Sequence, residues 1–173
     1  LNKVYFVLRD FYYTYLVSFL VKFFLISIGV KVGKNFFARR FPSVMLDKTS
    51  NITLGDNIFL KGRVELRAVK GASVQLQNDV KLDVGVRIVA TNSSSVVVDK
   101  GSDIGCYSIF NCGDDFYMGE YCLVAGFCYF QTSDHKIQHG KLIQSQGYTH
   151  GKIYIGKDVW VGGGSFILSN SIV

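Results

Sequence analysis

The sequence has a single proline, Pro42, in 173 residues, yet it has 18 glycines. A chain that turns often without proline turns on glycine, which suits a regular β structure with many tight corners. There is no run of five or six basic residues, although the net charge is +6. That spread of charge leaves phosphate, a nucleotide or a membrane surface as anionic partners and argues against nucleic acid. Cysteine is scarce, and Cys106, Cys112, Cys122 and Cys128 form no C-x2-C zinc pattern. They are expected to be small, buried, reduced residues, which points to a cytoplasmic setting. No stretch reads as a cleavable signal peptide, and Trp160 is the only tryptophan.

What is present falls into two regions. In residues 1–31, Val4, Leu8, Phe11, Tyr12, Tyr15, Phe19 and Phe23 recur in steps of three and four, which predicts a helix over 4–28. Phe6, Val17, Leu20 and Phe24 make it apolar nearly all round, so it must pack on protein or touch lipid. Lys22 interrupts the apolar stretch and argues against a membrane span. The expectation is a helix held at the inner face of a membrane or against the first coil, with Lys22 and Lys31 able to reach toward headgroups. Removal of 1–30 is expected to leave the rest folded.

From residue 32 to 173 the period becomes six. Leu54, Leu60 and Leu66 keep it, as do Leu76, Leu82 and Ile88, then Val98, Ile104 and Phe110. Met118, Val124 and Phe130 follow, then Ile155, Val161, Ile167 and Val173. A small or apolar residue falls four positions later at Ile58, Val64, Val80, Ser108, Cys122 and Cys128. One short strand and one turn per six residues predict an all-β domain, a left-handed parallel β-helix of about eighteen residues per coil. A helix cannot carry this spacing, because six residues rotate it by about 600°. The phase slips by four near Val69–Ala72 and Ala90–Ser95, read as small loops bulging from corners. A longer excursion, 131–154, holds His135, His139 and His150. Loops on a rigid frame are where function concentrates.

At this point the residues resemble a family. IYIGKDVWVGGGSFIL (153–168) is similar to the signature coil of hexapeptide-repeat sugar O-acetyltransferases, the group of maltose, galactoside and colanic-acid acetyltransferases. MGEYCLVA (118–125) and YFQTSDHKI (129–137) resemble its catalytic coil and loop. VKVGKNFFARR (30–40) resembles the first coil of polysaccharide-modifying members. The resemblance implies transfer of an acetyl group from acetyl-CoA, the co-substrate, to a sugar hydroxyl in surface polysaccharide biosynthesis, with no metal. It implies a homotrimer whose sites lie between subunits.

The resemblance also implies roles. His135, in the SDH position, would be the general base, a task that suits an imidazole titrating near neutral pH. His139 would be a bystander, and the role of His150 stays open. Asn111, Asp114 and Asp115 match the acceptor-binding segment. Trp160, Gly162 and Gly163 would lie along the donor, with Lys157 (and Lys152) at the CoA phosphates. Family chains run on beyond a segment like SFILSNSIV, so further C-terminal coils are expected outside this chain. Two other readings remain: a γ-carbonic-anhydrase-like zinc protein using the three histidines, and a non-catalytic β-helix scaffold. Neither the acceptor sugar nor the acyl chain can be read from the sequence.

Overall fold

A computed structural model describes residues 2–173, with side chains from Tyr13 onward. One helix, Asn2–Ser27, precedes a prism whose three faces are each a six-stranded parallel sheet. The first face stacks Lys31–Val32, Asn51–Leu54, Ser73–Leu76, Ser95–Val98, Phe116–Met118 and Ile153–Ile155. The second runs from Phe37–Ala38 to Trp160–Val161, and the third from Ser43–Leu46 to Phe166–Ile167. This is the parallel β-helix that the six-residue period predicts.

The aliphatic residues of the repeat point inward and lose their contact with water. Leu54, Leu76, Val98, Met118 and Ile155 form one buried column, and Leu60, Leu82, Ile104 and Val124 another. Each such side chain removed from water contributes about 1.5–3 kcal/mol. At the third face, stacked Phe110 and Phe130 (centroids 4.5 Å) meet the edge of Phe116.

The coil is longer than the eighteen residues expected. Register pairs Thr53 with Gln75 and Ser73 with Ser95, a repeat of 22 (75 − 53 and 95 − 73). Val96 pairs with Phe116, a repeat of 20 (116 − 96), and Phe116 with Ile153, a repeat of 37 (153 − 116). The phase slips are therefore not isolated bulges. They recur at one corner, between the third and first faces, where the strands of both faces run on for four residues. The step from Leu66 to Leu76, or from Ile88 to Val98, is even, so inside and outside are kept. Ile52, Val74 and Val96 opposite Ala68, Ala90 and Cys112 fill the drawn-out corner.

The tight corners are held by side chains. Ser102 and Ser108 each donate to a carbonyl of the next coil and accept from the amide of Cys122 or Cys128. The two thiols then donate onward, Cys122 to Gly156 and Cys128 to Gly162, both at 3.1 Å. All four cysteines are free, and burial pushes the Cys112 thiol far up from its ordinary value.

The helix closes the first end of the prism. Val17, Val21 and Leu25 lie over the core, the Ser18 hydroxyl exchanges hydrogen bonds with the Ala38 backbone, and Tyr15 meets Phe37 edge-on. It ends where Gly29, at φ +92°, lets its own amide reach Ile26 and that of Val30 reach Leu25. The apolar pattern at Val4, Phe6, Leu8, Phe11 and Tyr12 lies outside the described side chains. Lys22 is not directed at lipid: its ammonium caps the Gly33 carbonyl at the first corner. Among the described residues no helix is long and apolar enough to cross a membrane.

Candidate functional site

The long excursion leaves the drawn-out corner between the fifth and sixth coils. It is a two-stranded antiparallel hairpin, Ser133–His135 against Tyr148–His150. Ser133 pairs with His150 and His135 with Tyr148. Alternation then places all four side chains on one face. The His135 ring lies on Tyr148 at 4.4 Å, and Tyr148 stacks toward His150 at 6.4 Å. His135 borders a shallow pocket lined by Gln138, Lys141, Gln146 and Thr149. His139 is exposed near the turn. Asp134, beside His135, is bonded by the Ser169 hydroxyl, which ties the hairpin to the last turn.

The base of the hairpin is a hydrogen-bond junction. Gln131 accepts from Asn111 at 2.9 Å and from the Tyr129 hydroxyl at 3.0 Å, and it donates to the Ser133 carbonyl. Buried Thr132 accepts from the amides of Gly113 and Asp114. Ser133 Oγ lies 2.8 Å from His150 Nδ1. Gly113 runs so close beneath that a Cβ there would lie 3.1 Å from the His150 ring and overlap Ser133 Oγ. Gln131, Ser133 and Gly113 were not singled out from the sequence. Only the pairing of hairpin and corner shows that they matter.

The candidate acceptor residues Asn111, Asp114 and Asp115 do stand beside this hairpin. Two of the three are committed to the frame. Asn111 is held by Gln131, and Asp115 accepts from the Ser95 amide at 2.9 Å and pairs with Lys152 at 2.8 Å. The Lys152 ammonium, then the Ser95 amide, hold the Asp115 carboxyl below its ordinary value. Asp114 accepts from the Asp115 amide and keeps the rest of its carboxylate available.

The candidate donor residues lie elsewhere. Trp160 projects from the second face beside Leu123 and is 77% exposed. Gly162 and Gly163 form the corner between the second and third faces, next to Gly126 of the coil below. Lys157, at the corner between the first and second faces, pairs with Glu120 at 3.1 Å and lies over the Tyr121 ring. Lys152 sits with the hairpin, not with Trp160. In a three-faced prism the second face lies opposite the corner that bears the hairpin. One chain therefore does not bring His135 and Trp160 together.

The corners on either side of the second face carry exposed aromatic residues. Tyr107, Tyr121 and Phe127 all adopt positive φ, which bulky residues rarely do, and Tyr107 stacks on Phe127. Eight other non-glycine residues at corners along the prism adopt positive φ as well, so the conformation belongs to the coil turns. Leu123 on the second face and Phe166 on the third are exposed too. Among the described residues, no three His, Cys, Asp or Glu side chains converge to hold a metal ion.

No family model matches the chain, and no curated protein matches it. A solved structure, that of the polySia-specific acetyltransferase NeuO, is similar at a TM-score of 0.32 and 21% sequence identity. The alignment covers 83% of this chain and 66% of that one, so this chain spans just under two thirds of the neighbour's length.

Proposed function

We propose that this chain is an acyl-CoA-dependent O-acetyltransferase acting on a sugar hydroxyl of a surface polysaccharide or its precursor, on the cytoplasmic side of the membrane. The observation that carries the reading is the hairpin. A prism otherwise built of regular coils throws out one pair of strands, whose exposed face carries His135 and whose base adjoins Asn111 and Asp114. In this reading His135 accepts the proton of the sugar hydroxyl as its oxygen attacks the thioester carbonyl. The C–S bond then breaks, and the imidazolium returns the proton to the departing thiolate. Asp114 orients the sugar together with the Asn111 side-chain oxygen, which the bond to Gln131 leaves unused, and the Trp160–Gly163 corner takes the pantetheine arm and acetyl group of acetyl-CoA.

The separation of His135 from Trp160 supports assembly. A site made of both needs the hairpin of one copy against the second face of another, which a closed ring of three copies supplies. Lys157 is held by Glu120 and would have to exchange that partner to meet a CoA phosphate. The test is transfer from labelled acetyl-CoA to a panel of neutral and acidic glycans, followed by thiol release and by the acceptor's gain of one acetyl group. A folded protein that releases no thiol above hydrolysis with any acceptor would sink the proposal.

A further inference from the structure

At the opposite end from the hairpin, the helix and the first three coils enclose an open groove of about 1250 Å³. Arg39, Arg40, Lys61 and Arg63 line it, and among the described residues no carboxylate does. Lys61 is paired with Asp103 at 3.0 Å. The three guanidiniums have no acidic partner among the described residues. Their neighbours are aromatic: Arg39 lies over the Phe59 ring, and Arg40 donates to the Tyr13 hydroxyl at 3.2 Å. Three uncompensated guanidiniums in one groove are a site for phosphate or carboxylate oxygens.

The groove continues into a second surface. Tyr13 and Tyr15 line it, and from the next residue the helix turns an apolar stripe outward at Leu16, Phe19, Leu20, Phe23 and Ile26. Phe19 and Phe23 are 69% and 71% exposed. These residues repeat in steps of three and four on the side opposite Val17, Val21 and Leu25, so the prism cannot bury them. A soluble polyanion would satisfy the guanidiniums and leave that stripe in water. An apolar partner alone would satisfy the stripe and leave the guanidiniums idle. A bilayer with anionic headgroups satisfies both together.

We infer that this end of the molecule is a docking face for an anionic lipid surface, with Arg39, Arg40 and Arg63 on headgroup phosphates and the helix stripe at the acyl boundary. The inference does not depend on acetyl transfer. The test is co-sedimentation of the full chain with vesicles of phosphatidylcholine alone and with an equal mixture of phosphatidylcholine and phosphatidylglycerol. Binding should favour the anionic vesicles and weaken as salt is raised. R39Q/R63Q should lower that partition roughly tenfold or more, and F19S/F23S should abolish it. K48Q/K70Q, which removes the same charge from the corner between the third and first faces, should leave it unchanged. Circular dichroism verifies folding of each variant. Absence of binding by folded protein, or equal binding to both vesicles, overturns the inference. So does equal loss from R39Q/R63Q and K48Q/K70Q. If F19S/F23S instead turns an oligomer into a monomer and vesicles are not bound, the stripe is a subunit interface and the inference fails.

Discussion

Ser133 Oγ and His150 Nδ1 stand 2.8 Å apart across the hairpin, while the His135 ring, on the same face, rests on Tyr148 and has no hydrogen-bond partner among the described residues. One histidine is tied to the frame and the other is available. His135→Ala is therefore expected to lower acetyl transfer by at least about 10²-fold, the range for losing a general base. His139→Ala should be nearly silent, and His150→Ala should act through Ser133 with a smaller loss. Steady-state rates of thiol release in the three variants check this. A silent His135→Ala beside an inactive His150→Ala would reassign the base.

Gly113 offers a second, independent handle on the hairpin. The nearest atoms that a methyl group there meets are the ends of the Ser133 and His150 side chains, which can move. Gly113→Ala should shift the hairpin by a fraction of an ångström and lower turnover several-fold. The change in stability should stay within about 1 kcal/mol. Parallel rate and melting measurements separate the two effects, and a large drop in melting temperature would show that Gly113 serves the fold instead.

The aromatic stack in the prism makes a prediction about stability. Phe110 is fully buried between Phe130 and Phe116. Phe110→Ala removes a ring from a column that cannot collapse, because the strands above and below fix its height. A loss of about 3–5 kcal/mol is expected, read from denaturant unfolding. Phe110→Leu should cost much less.

Acid should weaken the drawn-out corner as the Asp115 carboxyl is protonated. The folded Asp115 carboxyl titrates below its unfolded value, near 3.9. Its contribution is thus fully present above that value and lost as pH falls through the lower, folded one. Asp115→Asn should lower the melting temperature at neutral pH by about 1–3 °C and flatten the decline of stability in acid. A melting profile against pH for both proteins decides the point; an unchanged acid limb would exclude Asp115 as its source.

The helix was expected to be separable from the β domain, and the packing argues otherwise. Deleting residues 1–30 uncovers the end of the core that Val17, Val21 and Leu25 close, and it removes the Ser18 and Lys22 bonds to the first coil. Each coil of a solenoid is stabilised by its neighbours, so the first coil loses the packing of the element that covers it. The truncated protein should melt several degrees lower and lose hydrogen-exchange protection first around residues 31–46. Unchanged protection there would restore the view of the helix as an appendage.

The frame was legible because six-residue spacing at Leu54, Leu60 and Leu66 leaves few structures open. The corner between the third and first faces was not, because Val69–Ala72 and Ala90–Ser95 looked like separate irregularities. Only strand pairing shows that they stack. The candidate base could be placed on an excursion from its break in the period, but a sequence cannot report cross-strand partners. Hence the Ser133–His150 contact and the junction at Gln131 went unseen. Asp115 and Lys157 matched a motif by residue type, and their structural partners, Lys152 with Ser95 and Glu120, are distant enough in sequence to be invisible.

Stacked strands lie about 4.8 Å apart. The prism is therefore a ruler, and the number of coils sets the height of the hairpin above the end that the helix closes. Duplicating residues 73–94, one full 22-residue repeat, would add one coil without disturbing either end. It would lift His135 by about 4.8 Å from whatever surface that end rests on. Reach toward a tethered acceptor would then be a property counted in coils, adjustable without altering a single residue of the hairpin.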